Sequence, residues 1–159
     1  MSAGNFADPL FGLTVLSEIA SRALSPGIND PGPAIDVVAQ LTRLLSEAAI
    51  SPHPASTTDE GAAGPEYPRV FVRAIEPSAL VEVAFLAISR DGAGMIEVVT
   101  AVLTALDALT ATSDPSLSSA ARIMAQTVCE RGMARLAFED DRARLRAIRD
   151  EAGEGWHRR

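Results

Sequence analysis

The stretch Ser25-Pro26-Gly27-Ile28-Asn29-Asp30-Pro31 decides how this chain folds, because it joins two strongly apolar helical patterns through a sharp turn. Proline followed by glycine is the central pair that a type II turn prefers, with the glycine at positive φ. We therefore predict a positive φ at Gly27 and expect Gly27→Ala to destabilise the protein by about 1 kcal/mol. The stretch predicts a rigid connection between two helices.

The residues after this turn predict how the second helix begins. Pro31 pushes Asp30 into extended backbone, which is the conformation that a helix N-cap needs. Asp30 would then accept a hydrogen bond from the Gly32 N–H. In the alternative arrangement Gly32 is the cap and Pro33 is the first helical residue. Both arrangements predict the same well-defined corner.

The same loop is the candidate structural or binding site of the chain. Its candidate residues are Ser25, Pro26, Gly27, Asn29, Asp30 and Pro31. Helix N-termini attract anions, but Asp30 and Asp36 lie at this one and would repel them. A cation, or a polar group of a partner, therefore fits the loop better than a phosphate does.

Apolar residues recur with a helical period everywhere outside residues 51–76, which predicts an all-α single domain of five or six packed helices with at most one short extended segment. The predicted helices run from Pro9 to Ser25, from Pro33 to Ala49, from Pro77 to Arg90, from Met95 to Ala111, onward from a cap at Asp114, and from Glu139 to Glu151. We expect residues 1–152 to form one domain with a mobile break at about 51–68. The extended segment would be Arg69–Arg73, and residues 153–159 would be a frayed tail.

Helical wheels predict which face of each helix is buried. The first helix places Val15 and Ile19 on its inner half and Ser17 on its outer half. In the last helix, two acid–arginine pairs have the i,i+4 spacing of helical ion pairs. They are Asp140 with Arg144 and Arg146 with Asp150.

The second and third helices carry more apolar surface than one buried stripe requires. A helix that is apolar nearly all round lies at the centre of a domain or at an interface, and only one helix fits the centre easily. We therefore expect a homodimer or another homo-oligomer, since large exposed apolar patches are rare on monomers.

Three short segments carry a resemblance to a known family. Asp8-Pro9, Phe11-Gly12-Leu13 and Arg22-Ala23-Leu24, running into the loop, resemble the soluble C-terminal part of the domain of unknown function 2254 family of bacterial membrane proteins. The resemblance extends to about Asp150 and implies a topology but no activity. It implies a cytoplasmic domain at the inner face of the membrane, with the family's membrane half as a partner. The family usually has Thr-Ala after the loop, where this chain has Gly32-Pro33-Ala34.

Composition and residue types exclude several classes of function. The net charge of −7 argues against nucleic-acid binding, which depends on cations that neutralise phosphates. The single cysteine, Cys129, rules out an intramolecular disulfide and fits a reducing compartment. His53 and His157 lie in the break and the tail, so we expect no catalytic set, metal site or cofactor. No stretch is long and apolar enough to span a membrane.

Two functions remain open at this point. The first is a cytoplasmic interaction or regulatory domain of a membrane protein, which associates through apolar helix faces. The second is a small helical ligand-binding protein or enzyme that uses the loop from Ser25 to Pro31.

Overall fold

The computed structural model of the protein describes residues 9–50 and 75–156. These residues form six helices and no strand, so the predicted all-α fold is confirmed. The helices are α1 (Pro9–Ala23), α2 (Pro31–Ile50), α3 (Pro77–Asp91), α4 (Ile96–Thr110), α5 (Pro115–Arg135) and α6 (Glu139–Trp156). The predicted break at 51–68, the extended segment Arg69–Arg73 and the last residues of the predicted tail, 157–159, lie outside the described residues.

Proline is the first residue of four of the six helices, at positions 9, 31, 77 and 115. The missing N–H of proline costs nothing there, because the first N–H groups of a helix have no partner within it. The sequence correctly predicted three of these starts. The fourth, α2, begins at Pro31 rather than at Pro33, because Asp30 and not Gly32 caps it.

The last helix is longer than the sequence predicted. α6 continues to Trp156, whereas the prediction ended it at Glu151, before two glycines. Glycine costs about 1 kcal/mol in a helix interior but does not forbid helical backbone.

The ion pairs of α6 also differ from the prediction. Neither Asp140–Arg144 nor Arg146–Asp150 occurs among the ion pairs of the described residues. Arg146 instead donates to Glu139 at 2.6 Å, because residues seven apart also share a helix face. These side chains are solvent-exposed, so their pairing contributes little to stability.

Five helices close into a ring. α1 packs against α3, α3 against α5, α5 against α4, α4 against α2, and α2 against α1. α6 lies outside the ring, on α4 and α5. The centre of the ring is filled by large apolar side chains with almost no exposure, among them Phe85, Ile88, Leu41 and Leu106.

The position of α3 explains its nearly all-round apolar surface. It packs fully on α1 and α5 and touches α2 and α4 across the ring. None of its large apolar residues is among the exposed ones of the described part of the chain. Of the two helices with more apolar surface than one stripe requires, α3 is therefore one whose surface the domain buries itself. The expected homo-oligomer stays a prediction.

The buried face of α1 also differs from the prediction. Val15 and Ile19 are 38% and 50% exposed, whereas Ser17 is 4% exposed. The helix packs on both α3 and α2, and its buried residues Leu13, Ser17, Ala20 and Ala23 are three to four residues apart. Small side chains at Ser17 and Ala20 allow neighbouring helices to come close on this side of α1, which leaves the β-branched residues on the outer side.

The turn between α3 and α4 leaves no room for a side chain at Gly92. A Cβ there would lie 2.4 Å from Val98 Cγ1 and 3.1 Å from the Ile88 carbonyl oxygen. A Cβ on Gly94, two residues later, would meet only the Arg135 carbonyl oxygen, at 3.7 Å. The turn therefore needs glycine for space at the first position and not at the second.

We predict that Gly92→Ala lowers the free energy of unfolding by about 1–3 kcal/mol, because the stiff Val98 side chain must shift in a packed core. Gly94→Ala is the matched control and is expected to change it by less than about 0.5 kcal/mol. Urea unfolding of both variants measures the difference. Equal stabilities would contradict the packing described for this turn.

Candidate functional site

The loop from Ser25 to Asn29 continues helix α1 by one irregular turn. The Ser25 carbonyl accepts hydrogen bonds from the N–H groups of Ile28 at 3.0 Å and Asn29 at 2.8 Å. The residue with positive φ is Asn29, at 52°, and no described glycine has positive φ. The predicted type II turn with positive φ at Gly27 is therefore wrong.

The physical reason is that the turn is one residue longer than the prediction assumed. The chain passes through Pro26 and Gly27 in a helical sense and reverses only at Asn29. Asparagine is one of the few side chains that tolerates left-handed backbone. A Cβ on Gly27 would meet nothing within 4 Å.

The start of α2 follows the first of the two predicted arrangements. The Gly32 N–H donates to Asp30 Oδ1 at 3.0 Å, so the Asp30 carboxylate satisfies a free donor of the first turn. The Asp30 N–H itself donates to the Ala23 carbonyl at 3.0 Å. Asp30 thus holds the end of α1 and the start of α2 together.

The six candidate residues do not converge on one site. Pro26, Gly27, Asn29 and Asp30 are exposed, and Pro31 is half-buried at the start of α2. Ser25 is half-buried, and its hydroxyl donates to the Arg22 carbonyl at 2.7 Å. Of the six, Ser25 and Pro26 line a cavity that residues of α1, α3 and α5 complete.

That cavity, which we name the arginine cleft, lies where the C-terminal ends of α1, α3 and α5 meet. Its volume is about 630 Å³, which is within the range of small-molecule sites. The arginine cleft is lined by Ser21, Leu24, Ser25, Pro26, Arg90, Asp91, Ala93, Arg131 and Arg135. Its charged lining is therefore three arginines and one aspartate.

The aspartate of the cleft is already paired. Arg90 donates to Asp91 through Nε at 2.7 Å and through Nη2 at 3.1 Å. The hydrogen bond from Arg90 holds the pKa of the Asp91 carboxyl below its ordinary value, and the charge of Arg131 acts in the same direction. Asp91 therefore carries its negative charge at neutral pH and balances Arg90.

The other two arginines have no acidic partner within the described residues. Arg131 is half-buried, and its Nη1 donates to the Leu86 carbonyl at 2.9 Å and to the Ser89 hydroxyl at 2.7 Å. Arg135 is exposed and has no hydrogen bond or ion pair in the described part of the chain. The two guanidinium groups lie one turn apart on α5 and both line the cleft.

The arginine cleft was not predicted from the sequence, and the preference for a cation that the sequence indicated concerned the loop. That preference for a cation rested on Asp30 and Asp36, which do not line the cleft. The arginines come from helices far along the chain, so only the packing of α1 and α5 on α3 brings them together. The signal in the sequence that could have indicated it was the i,i+4 spacing of Arg131 and Arg135, which puts both on one face of a helix.

A second candidate surface is the apolar stripe, which we define as Phe11, Val15 and Ile19 on the outer face of α1. These side chains are 40%, 38% and 50% exposed and follow one another four residues apart. They span about 12 Å of helix length. Gly12 is exposed beside them, and a Cβ there would meet nothing within 4 Å.

Cysteine and the usual metal-ligating residues form no further candidate site within the described residues. Cys129 is buried, and burial raises the pKa of its thiol above the ordinary value, which disfavours the reactive thiolate. Within residues 9–50 and 75–156 no group of His, Cys, Asp or Glu could hold a metal ion. His53 and His157 lie outside the described residues.

Comparisons with known proteins give one match. Residues 5–108 match a family model described as a predicted membrane protein (DUF2254). The match takes in α1, α2, α3 and most of α4. No curated protein and no solved structure matches the chain. In the part of the chain that the structure describes, none of the helices has the length and apolar character that crossing a bilayer requires.

The loop geometry makes a prediction that reverses the one drawn from the sequence. Asn29→Ala is expected to destabilise the protein by about 1 kcal/mol, because alanine resists left-handed backbone, whereas Asn29→Gly is expected to be tolerated. Gly27→Ala is expected to be neutral or slightly stabilising, because it restricts the unfolded chain without a clash. Thermal unfolding of the three variants tests this; a loss of stability in Gly27→Ala alone would contradict it.

Proposed function

Because the chain belongs to the DUF2254 family of predicted membrane proteins, we propose that it is a cytoplasmic interaction or regulatory domain that self-associates through the apolar stripe of α1. In a protein of this family the domain would lie at the inner face of the membrane. Pairing of two such domains would then couple two copies of the membrane part. The observation that supports the proposal is the exposure of Phe11, Val15 and Ile19 on one helix face.

The stripe has the symmetry that a two-fold interface requires. Phe11 and Ile19 lie at equal distances on either side of Val15. If two copies of α1 pair antiparallel, Val15 meets its own copy and Phe11 meets Ile19 of the other chain. Such self-complementarity is the defining feature of a two-fold dimer, the commonest form of homo-oligomer.

Gly12 supports a close approach at this face. Glycine costs about 1 kcal/mol in a helix interior, and at this position the fold offers no reason for it, since a Cβ would contact nothing. A glycine on an exposed helix face permits another backbone to come close. Its place beside the stripe is consistent with a partner helix at that point.

The loop from Ser25 to Pro31 supports the alternative function, a ligand-binding protein or enzyme, through one observation. Its first two residues, Ser25 and Pro26, line the arginine cleft, whereas the rest of the loop forms the corner between α1 and α2. The residues that recognise a ligand would therefore come mainly from α3 and α5.

We predict that the wild type forms a dimer of twice 16.7 kDa at micromolar concentration and that Val15→Glu makes it monomeric. The substitution places two like charges opposite each other at the two-fold axis, and glutamate retains helix propensity. The matched control is Ile123→Glu on α5, which changes a 64% exposed isoleucine outside the stripe and leaves the dimer intact. Light scattering after size exclusion measures all three masses.

The outcomes separate the possible partners. A monodisperse wild-type monomer with no tendency to aggregate contradicts the proposal. A wild type that aggregates without forming a dimer, and that Val15→Glu renders soluble, assigns the same stripe to the membrane half of the family instead of a second copy.

A further inference from the structure

We infer that the arginine cleft binds a phosphate group, with Arg131 and Arg135 of α5 as its main ligands. The inference does not depend on self-association through α1. It rests on the charge of the cleft, on the positions of its guanidinium groups and on their lack of acidic partners.

The charge of the cleft opposes the charge of the protein. The chain carries 21 acidic residues and a net charge of −7, yet the described lining of the cleft has three arginines and one aspartate. Asp91 pairs with Arg90, so two positive charges remain uncompensated within the cleft. Like charges one turn apart on a helix destabilise it slightly, and a bound anion would relieve that repulsion.

The guanidinium group of Arg131 is fixed in position before any ligand binds. Its Nη1 is held by two acceptors of α3, the Leu86 carbonyl and the Ser89 hydroxyl. Both acceptors are uncharged, and Asp91, on which the charge of Arg131 also acts, forms its ion pair with Arg90. Its Nε and Nη2 make no hydrogen bond within the described residues. Guanidinium groups with free donors bind phosphate through paired hydrogen bonds.

The helix C-termini that surround the cleft offset little of this positive charge. Free carbonyl groups at a helix end carry partial negative charge, but here several of them have partners. The Ile88 carbonyl accepts from the Gly92 N–H at 2.8 Å, and the Gly132 carbonyl accepts from the Leu136 N–H at 2.9 Å. At the end of α1 the Ala23 carbonyl accepts a hydrogen bond from the backbone N–H of Asp30.

The chemistry of the cleft matches a phosphate monoester. Such a group carries a charge of about −1.5 to −2 at neutral pH, which balances two arginines. The volume of about 630 Å³ leaves room for the rest of a small molecule or for a lipid headgroup. Both sources present the same phosphate to the same arginines.

The test is isothermal titration of the full chain with inorganic phosphate at low ionic strength. Wild type is expected to bind phosphate saturably, and Arg135→Gln to weaken the affinity about tenfold, the size of one charged hydrogen-bonding contact. Arg135 is exposed and has no hydrogen bond or ion pair in the described part of the chain, so we expect this variant to stay folded. Asp91→Asn frees Arg90 and is expected to strengthen binding severalfold. Arg144→Gln, an exposed arginine of α6 outside the cleft, is the matched control and retains wild-type affinity.

A second arm distinguishes the sources of the phosphate. Sedimentation with phosphatidylcholine vesicles, with and without phosphatidic acid, tests for a lipid headgroup. Binding that requires phosphatidic acid and is reduced by Arg135→Gln, but not by Arg144→Gln, supports the inference with a lipid as ligand. Saturable binding of free phosphate without such vesicle binding supports a soluble ligand. The absence of both forms of binding, or an equal loss in the two arginine variants, overturns the inference.

Discussion

The rotation of α1 about its own axis, set by its packing on α3 and α2, determines both candidate surfaces of this protein. α1 packs on α3 and α2, and two of its buried residues, Ser17 and Ala20, are small and nearly or completely buried. Side chains of this size let neighbouring helices approach α1 closely, and that packing fixes which residues of α1 face inwards. A rotation by one position would bury Val15 or Ile19 and would move Ser21 away from the arginine cleft.

The stripe and the cleft thus both depend on how α1 is rotated about its axis. The stripe lies towards the N-terminal end of this helix and the cleft at its C-terminal end. The N-terminal half of α1 has Phe11, Val15 and Ile19 exposed, because Leu13, Ser17 and Ala20 take the buried side. The C-terminal end brings Ser21 and Leu24 beside Arg90 and Arg131, which α3 and α5 supply. The corner closed by Asn29 and Asp30 then leads the chain away into α2 without covering either surface.

Local sequence signals predicted the helices well and their arrangement less well. The helix starts formed by proline and by capping residues depend only on neighbours in the chain. One such capping residue is Asp114, whose carboxylate accepts hydrogen bonds from the N–H groups of Ser116 and Leu117.

The burial of Ser17 and the exposure of Ile19 depend on which helix lies opposite, and a helical wheel carries no such information. For the same reason the wheel could not tell which of α2 and α3 buries its apolar surface within the domain; the ring buries that of α3. The arginine cleft was not predictable, because its lining residues are up to 114 positions apart in the chain, from Ser21 to Arg135. The left-handed residue of the corner was misplaced at Gly27 because proline–glycine pairs favour type II turns on average, whereas the hydrogen bonds to Ser25 select a longer one.

Native-state thiol labelling of Ser17→Cys and Glu18→Cys tests the packing of α1 most directly. The two positions are adjacent, but Ser17 is 4% exposed and Glu18 lies on the outer face. The buried Cys129 serves in both variants as an internal slow thiol. We predict that the cysteine at position 18 reacts at the rate of an unfolded chain, while that at position 17 reacts as slowly as Cys129. Equal, rapid labelling at both positions would place Ser17 on the surface and contradict the account of both the stripe and the cleft.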